Sequence, residues 1–273
     1  MIRMKKFSVL LVLLLLGAAG PWAREASACT SVIISGKFTA SGRPIMLKHR
    51  DTDHLENDIR WFRGEKYGFI GLVNCDDPGK KEVWSGTNSA GFCIMNTATY
   101  DLKDDDVPAE LMDREGEVMY RALEICETLE DFEHLLDTLS RPLGVEANFG
   151  VTDVRGGAAY YEVNNWKWVK YDVNEEPSGY RVVTNFTWSG RVEDRKGVDR
   201  YEKACRILAE TQIPIREWDH DFLINAISRS GAPILRDITA ASIVFEDGVM
   251  WACLGRPDIT PYEPFTEEGM RAE

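Results

Sequence analysis

The stretch CTSVIISGKFTASGRPIMLKHRDTD, residues 29–53, contains two apolar runs on either side of a turn rich in glycine and serine. The runs Thr30–Ser35 and Pro44–Lys48 carry the branched and other apolar residues that are typical of strands. They predict two strands near the start of a β-sheet, with Cys29 immediately before the first of them. A charged segment, Lys48–Asp53, ends the second run.

Further strand-like runs follow in groups that are bounded by Gly, Asn and Asp, as hairpin turns require. They are Tyr67–Val73, Lys81–Ser85, Gly91–Thr97, Phe149–Asp153, Ala158–Val163, Trp166–Tyr171, Tyr180–Thr184, Ala241–Glu246 and Val249–Gly255. Asp247-Gly248, between the last two runs, is the strongest turn signal among them. The grouping predicts antiparallel sheets.

Helical periodicity lies between these groups of strands. It covers Glu117–Cys126, Val198–Thr211 and Trp218–Ser230, and a capping box at Thr128–Asp131 predicts a further helix to about Leu139. Strand groups separated by helices predict a layered α+β domain in which helices cover antiparallel sheets. No linker or repeat interrupts residues 29–273, and this length suits one domain with a single core.

The N-terminal segment has the pattern of a secretory signal peptide. Arg3, Lys5 and Lys6 precede the apolar run Phe7–Leu16, and the small residues of Ala26–Ala28 form a signal-peptidase site. Cleavage is therefore expected between Ala28 and Cys29, which would make the protein an exported one, periplasmic or secreted. The apolar run is shorter than the roughly 20 residues that span a bilayer, so no permanent membrane anchor is expected.

Composition limits the partners of the chain. Its 45 acidic and 32 basic residues give a net charge of −13, which disfavours binding to nucleic acid or to anionic lipid. The six cysteines are irregularly spaced and show no paired disulfide framework. Cys93 and Cys253 lie in apolar runs, where a free cysteine behaves as a small buried hydrophobic residue.

Cleavage before Cys29 would place a thiol beside its own α-amino group. Such an amine has a pKa of about 7.7–8.0 and can act as a general base near neutral pH, so no catalytic histidine is needed. A lipid-anchored binding module with Cys29 as the lipid acceptor is the alternative. A lipobox usually places leucine three residues before the cysteine, where this chain has Ala26.

The segment Lys48–Asp53 offers a cation and two acids to such a thiol. Arg50 would favour the thiolate, and an acid three residues later could hold the α-amino group. Asp51 competes with Asp53 for this acidic role. A solvated charged turn is one alternative, and a metal site is another, with the ligands His49, Asp51, Asp53 and His54.

Three segments together resemble the linear-amide C–N hydrolases with an N-terminal nucleophile. They are Cys29–Ser35, Gly42–Asp53 and Asn88–Asn96. This superfamily includes choloylglycine hydrolase, penicillin V acylase and acid ceramidase, and the chain most resembles its carcinine hydrolase/isopenicillin-N acyltransferase-like branch. The resemblance extends to about Phe265 and implies a four-layer αββα sandwich for residues 29–273.

The resemblance also implies roles for individual residues. Cys29 would be the nucleophile, Arg50 the neighbouring arginine and Asp53 the acid that positions the amino group. The backbone N–H of Asn96 and the side chain of Asn185 would form the oxyanion hole. Arg200 would be a second arginine, near the start of a helix.

The implied function is an exported amidase or acyltransferase that cleaves a linear C–N amide bond through an acyl thioester on Cys29. The partner would be a small-molecule amide, and the chemistry requires no metal and no organic cofactor. The sequence leaves open the acyl group, the amine and a homo-oligomeric state. The loops at Asp101–Pro108 and Gly190–Gly197 are expected to shape the pocket.

Overall fold

The computed structural model describes residues 28–76, 79–102, 107–214 and 216–272. The predicted signal peptide therefore lies outside the described residues, apart from Ala28. The predicted pocket loop at 101–108 is described only in part. Within the described residues no helix is long and apolar enough to cross a membrane.

Two antiparallel sheets form the centre of the domain. In spatial order, the six-stranded sheet contains β10 (Tyr180–Val183), β1 (Thr30–Ile34), β2 (Ile45–Asp51), β11 (Thr239–Glu246), β12 (Val249–Cys253) and β13 (Glu263–Phe265). The seven-stranded sheet follows chain order through β3 (Asn57–Arg63), β4 (Gly68–Asn74), β5 (Ser85–Asn88), β6 (Cys93–Ala98), β7 (Ala147–Thr152), β8 (Ala158–Val163) and β9 (Trp168–Asp172).

The two sheets pack face to face across a shared hydrophobic cluster. Ile33 and Met46 enter it from the six-stranded sheet, and Ile70, Met95 and Tyr160 enter it from the seven-stranded sheet. All five side chains are fully buried. Because side chains alternate along a strand, the intervening residues of β1 and β2 point to the opposite face of their sheet.

Helices cover both outer faces. The helices α1 (Glu115–Ile125) and α2 (Leu129–Thr138) pack on the seven-stranded sheet, where Leu123 and Phe132 share a cluster with Phe149. The helices α3 (Val198–Glu210) and α4 (His220–Leu223) cover the six-stranded sheet through a separate cluster. A short helix, α5 (Glu267–Ala272), ends the described chain. The architecture is therefore the α+β sandwich with two covered sheets that the sequence predicts.

Local signals in the sequence are confirmed at two places. The Thr128 hydroxyl accepts a hydrogen bond from Asp131 N, and the Asp131 carboxylate accepts one from Thr128 N, which completes the predicted capping box of α2. Asp247 and Gly248 both have positive φ angles, of 49° and 79°, in the tight turn between β11 and β12. This conformation at both central residues is the one that suits a two-residue hairpin.

The structure differs from the predicted elements in several places. The strands β3 and β13 were not predicted, and β5 begins at Ser85, where the predicted strand Lys81–Ser85 ends. The predicted helix Trp218–Ser230 is shorter, since α4 has only four residues and passes into a π-helical turn at Ile224–Ser228. The strand β3 escapes the apolar pattern because charged residues alternate along it at the edge of its sheet.

Candidate active site

Cys29 lies at one end of an inner strand of the six-stranded sheet, one residue before β1. Thr30 pairs with His49, and Ala28 N donates a hydrogen bond to Asp51 O at 3.2 Å. The antiparallel register thus continues beyond Thr30 and places Cys29 opposite Arg50. Since Ala28 still precedes Cys29, the nitrogen of Cys29 is an amide here and the structure shows the unprocessed chain.

The side chain of Cys29 faces the space between the two sheets. Ile33 belongs to the cluster between the sheets, so Ser31 and Cys29, two and four residues earlier, share its side of the strand. Tyr160 on the opposite sheet donates a hydrogen bond to Ser31 Oγ at 3.1 Å. Cys29 is 4% exposed, and this small opening leads into a cavity.

The cavity has a volume of about 360 Å³, which is within the range of small-molecule sites. Its wall combines the nucleophile candidate with basic, acidic and apolar side chains. They are Cys29, Lys48, Arg50, Thr52, Asp53, His54, Trp84, Asn96, Ala98, Thr99, Tyr100, Met112, Asp113, Glu115 and Glu146. Four of the six predicted site residues, Cys29, Arg50, Asp53 and Asn96, therefore meet in one cavity.

Arg50 lies on β2 and is anchored to the opposite sheet. Its Nη2 donates to Asn74 Oδ1 at 2.7 Å, its Nη1 donates to Asn57 Oδ1, and its guanidinium lies 5.0 Å from the ring centre of Trp84. Burial lowers the pKa of Arg50 to about 10, and the neighbouring charge of Cys29 opposes this shift. The arginine remains a cation at neutral pH, and its N–H groups on Nη1 and Nη2 are used to join the two sheets.

Lys48 is a cavity residue that the sequence analysis did not single out. It is 1% exposed, and its Nζ donates a hydrogen bond to Asn96 Oδ1 at 2.8 Å and another to Trp84 O. Burial lowers the pKa of Lys48 to about 7, the charge of Cys29 opposes this change, and Arg50 adds to it. The signal that could have revealed Lys48 is the strand alternation of Met46, Lys48 and Arg50.

The two aspartates of the charged segment have different environments. Asp51 is fully buried, and it accepts a hydrogen bond from Thr239 Oγ1 at 2.7 Å and lies 3.5 Å from Arg236 Nη1. Burial raises its pKa to about 6. The side chain of Asp53 is 72% exposed, and its carboxylate lies 3.9 Å from His54 Nε2. Asp51 is also the residue whose backbone pairs with Ala28.

Arg200 and Asn185 lie behind Cys29. Arg200, in the first turn of α3, donates through Nη1 to Cys29 O and, at 2.9 Å, to Thr30 Oγ1. Its Nη2 donates to Asn185 Oδ1 at 2.8 Å, and Asn185 Nδ2 donates to Ala98 O at 2.7 Å. Both side chains are buried, so Arg200 fixes the backbone of Cys29 and the amide of Asn185 together.

Carboxylates form part of the cavity wall. Glu115, the first residue of α1, is buried and accepts a hydrogen bond from Glu146 N at 3.0 Å. Burial raises the pKa of Glu115 to about 7. Asp113 and Glu146 also line the cavity. A polar or positively charged group of a ligand would therefore find acceptors on this side of the cavity.

The side chains of the alternative metal site point to different partners. His49 Nε2 lies 3.0 Å from Ser228 Oγ on the helix-covered side of the sheet, and burial lowers the pKa of His49 to about 4. His54 Nδ1 lies 2.9 Å from Asp76 Oδ2. In the described ranges no group of three or more His, Cys, Asp or Glu side chains is arranged to hold a metal ion.

All six cysteines lie within the described residues, and each is a free thiol. Cys93 and Cys253 are buried, as the sequence predicts, and burial raises the pKa of each to about 11. Burial also raises the pKa of Cys126, to about 12. These three thiols are therefore poor nucleophiles, whereas Cys29 shares its cavity with two cationic side chains.

Comparisons with solved structures identify the fold. The chain superimposes on a Caenorhabditis elegans orthologue of N-acylethanolamine-hydrolyzing acid amidase with a TM-score of 0.61 and 17% identity, over 85% of this chain and 94% of that one. It matches a conjugated bile acid hydrolase from Clostridium perfringens with a TM-score of 0.52 and 11% identity, over 87% and 96% of the two chains.

A third solved structure has the same architecture. Penicillin V acylase from Agrobacterium tumefaciens matches with a TM-score of 0.50 and 13% identity, over 83% of each chain. No protein-family model and no curated protein sequence matches the chain. The domain thus has the Ntn-hydrolase sandwich found in linear-amide C–N hydrolases, which confirms the fold that the resemblance implied.

Proposed function

We propose that the chain is a thiol-dependent amide hydrolase whose nucleophile is Cys29 at a newly formed N-terminus. The observation that carries this proposal is the position of Cys29, which lies at the start of β1, opens into a cavity beside Arg50 and Lys48, and has its carbonyl held by Arg200. The fold shared with three amide hydrolases supports the same reaction class.

Removal of the residues before Cys29 would supply the general base. In the unprocessed chain the nitrogen of Cys29 is an amide, which cannot accept a proton at neutral pH. The free α-amino group has a pKa of about 7.7–8.0 and lies next to its own thiol, so it can take the S–H proton. Export with loss of residues 1–28 is part of this proposal.

The reaction would proceed by acyl transfer through sulfur. The amine takes the thiol proton, Sγ attacks the amide carbon, and the carbonyl oxygen becomes an oxyanion that accepts hydrogen bonds. The C–N bond then breaks, and the departing nitrogen takes the proton from the α-ammonium group. Water attacks the thioester, the amine takes a proton from this water, and the C–S bond breaks to regenerate the thiol.

The acid that holds the α-amino group is better represented by Asp51 than by Asp53. Asp51 is buried in β2 and its backbone oxygen accepts a hydrogen bond from Ala28 N, whereas Asp53 is exposed at the cavity. The Asp51 carboxylate already accepts a hydrogen bond from Thr239 Oγ1, so it would hold the new ammonium group through a further, charge-assisted hydrogen bond. The role predicted for Asp53 from its spacing to Arg50 stays a prediction.

The oxyanion donors are assigned to Asn96 and Asn185. Asn96 lies in the cavity wall, and Asn185 is joined to the Cys29 carbonyl through Arg200. In the unprocessed chain the Nδ2 of Asn185 donates to Ala98 O, and Ala98 also lines the cavity. Turning this donor toward the substrate would require the hydrogen bond to Ala98 to break.

The substrate is proposed to be a small-molecule amide. A cavity of about 360 Å³ admits one small molecule, and its charged wall favours polar groups on that molecule. An acyltransferase would use the same thioester with an amine in place of water. The nature of the acceptor therefore decides between hydrolase and acyltransferase, and the cavity is compatible with either.

A panel of N-acyl amines and bile-salt conjugates tests the proposal on the mature protein. We expect turnover of at least one amide, with a transient acyl adduct on the peptide that begins at Cys29, and no turnover by Cys29→Ser. Equal hydrolysis by wild type and Cys29→Ser would contradict the proposal. Intact mass in the same experiment would reveal a lipid on Cys29 if the binding-module alternative were correct.

A further inference from the structure

Lys48 is a buried amine whose contacts differ from those of a structural lysine. It lies in the middle of the six-stranded sheet, faces the opposite sheet, and is 1% exposed. Its Nζ donates to two neutral acceptors, Asn96 Oδ1 and Trp84 O, and in the part of the chain that the structure describes it contacts no carboxylate. Burying a charge without a counterion is costly, so such a residue usually has a function.

The charge of Lys48 acts on Cys29. Both side chains line the same cavity, and Cys29 is the largest electrostatic influence that favours the protonated form of Lys48. Arg50 lies nearby, but its Nη1 and Nη2 bind Asn57 and Asn74 and its guanidinium lies over Trp84. The ammonium group of Lys48 is bound by one side chain, that of Asn96, whereas the Arg50 guanidinium is bound by two.

Lys48 also determines the orientation of the Asn96 amide. An ammonium group can only donate hydrogen bonds, so the Asn96 atom that faces Nζ, at 2.8 Å, must be the oxygen. The Nδ2 of Asn96 is then directed elsewhere, and among the described residues it has no acceptor. Because Asn96 lies in the cavity wall, its side-chain N–H groups are available to a ligand there.

We propose that Lys48 is a positioning residue of this site, which places a positive charge beside Cys29 and aims the Asn96 side-chain amide at the reacting carbonyl. The proposal rests on Cys29 being the nucleophile. In the reaction, the ammonium group stabilises the thiolate without a proton leaving Lys48. Asn96 Nδ2 then donates to the oxyanion while Lys48 continues to hold Asn96 Oδ1.

Other charged groups face the same cavity and can also influence the pH dependence of Cys29 alkylation. Arg50 is on the same strand, and the carboxylates Asp53, Asp113, Glu115 and Glu146 come from the surrounding loops and α1. His54 and Tyr100 are further titratable side chains of the cavity, and after processing the Cys29 α-amino group, with a pKa of about 7.7–8.0, also titrates beside the thiol. All of them remain unchanged in variants at position 48, so a difference between such variants reports on Lys48 itself.

The test measures the rate at which iodoacetamide alkylates Cys29, from pH 5 to pH 10, in the peptide that begins at Cys29. Lys48→Met keeps a long side chain and removes the charge, so we expect the alkylation rate at pH 7 to fall about tenfold, as a shift of one pH unit in thiol ionisation implies. Lys48→Arg keeps the charge and should stay within about threefold of wild type.

Lys203→Met is the matched control. Lys203 also donates its Nζ hydrogen bonds to neutral acceptors, the backbone oxygens of residues 230–232, but it lies outside the cavity. We expect its alkylation profile to match that of wild type. Superimposable profiles for Lys48→Met and wild type, or an equal shift in Lys203→Met, would overturn the proposal.

Lys48→Arg alone keeps the proposal testable if Lys48→Met does not fold. An arginine does not titrate in this range, so the step that Lys48 contributes near pH 7 to the alkylation profile should disappear. A profile that keeps this step in Lys48→Arg would contradict the assignment. Because alkylation needs no amide substrate, a Lys48-dependent profile in a protein that cleaves no amide would contradict the amidase function and leave the effect of Lys48 on the Cys29 thiol intact.

Discussion

At the scale of single residues, Cys29 differs from the other cysteines in its surroundings. Burial in apolar surroundings raises the pKa of Cys93, Cys126 and Cys253, whereas Cys29 opens into a cavity that also contains Lys48. A thiolate is the reactive form of cysteine, so reactivity is favoured at position 29 over these three buried thiols.

Cys29→Ser should lower turnover by orders of magnitude while the fold is retained. The replacement preserves the α-amine, but a hydroxyl is far less acidic than a thiol of pKa about 8.5, so the amine cannot activate it to the same extent. Steady-state kinetics and circular dichroism measure the two effects. In wild type, iodoacetamide should label Cys29 before the other five cysteines, and preferential labelling of Cys75 or Cys93 would contradict this assignment.

Asp51→Asn and Asp53→Asn form a matched pair for the acidic role. We expect Asp51→Asn to lower kcat at least tenfold, because Asp51 is buried and its backbone pairs with Ala28 next to Cys29, and Asp53→Asn to change kcat less than threefold, because its side chain is exposed. Kinetics on the mature proteins at one pH provide the comparison. A larger loss in Asp53→Asn would restore the role that its spacing to Arg50 predicts.

The sequence predicts Cys29 as the nucleophile but does not predict all of its neighbours. Cys29 and Arg50 were predicted because a cleavage site and a charged segment mark them, and the structure brings both to one cavity. For Lys48 the sequence predicts only that it is the last residue of an apolar strand. Its role depends on Asn96 and Trp84, which approach from the other sheet, and the sequence does not specify the contact between the two sheets.

At the scale of elements, the first turn of α1 carries a buried acid in the cavity wall. The pKa of Glu115 is raised to about 7 by burial, above the value near 4.5 in an unfolded chain. The stability associated with the neutral acid is fully present below about pH 4.5 and decreases as pH rises toward 7. Above about pH 7 the loss of stability no longer changes with pH, because Glu115 is then ionised in both the folded and the unfolded protein.

Glu115→Gln should remove this dependence on pH. The amide oxygen of glutamine can still accept the hydrogen bond from Glu146 N, and glutamine has no proton to lose. The variant should therefore gain stability over wild type by on the order of 2 kcal/mol between pH 4 and pH 8. Urea unfolding at the two pH values measures this difference, and parallel curves for the two proteins would show that Glu115 does not titrate as described.

Helices and turns were predictable where the sequence signal involves only residues that are neighbours in the chain. The capping box of α2 and the Asp247-Gly248 turn depend on neighbouring residues, and both occur as expected. The edge strand β3 and the π-helical turn after α4 were missed because their stability depends on neighbouring layers. A short apolar segment alone does not specify whether tertiary contacts will keep it helical.

At the scale of the whole molecule, the two sheets and α3 meet around Cys29 and its cavity. Lys48 and Arg50 reach from one sheet to the other, and Arg200 ties α3 to the Cys29 carbonyl. These contacts hold Cys29 and the surrounding cavity residues in place from three elements of the domain.

Processing of the exported protein should give an N-terminus that reads Cys-Thr-Ser-Val-Ile. N-terminal sequencing measures this directly, and the same analysis of Cys29→Ala identifies the agent. Normal processing of Cys29→Ala would assign cleavage to signal peptidase, because the thiol is then dispensable for the cut. Recovery of a stable, fully active protein that begins before Cys29 would contradict the maturation step.

The most direct test of the central claim compares two purified chains that differ by one residue, one beginning at Cys29 and one retaining Ala28. Intact mass establishes the N-terminus of each, and the rate of amide hydrolysis is measured with the same substrate. We expect the chain that begins at Cys29 to be active and the chain that retains Ala28 to be inactive, because the Cys29 nitrogen of the longer chain is an amide. Equal activity of the two chains, with Ala28 still present by mass after the assay, would contradict the account.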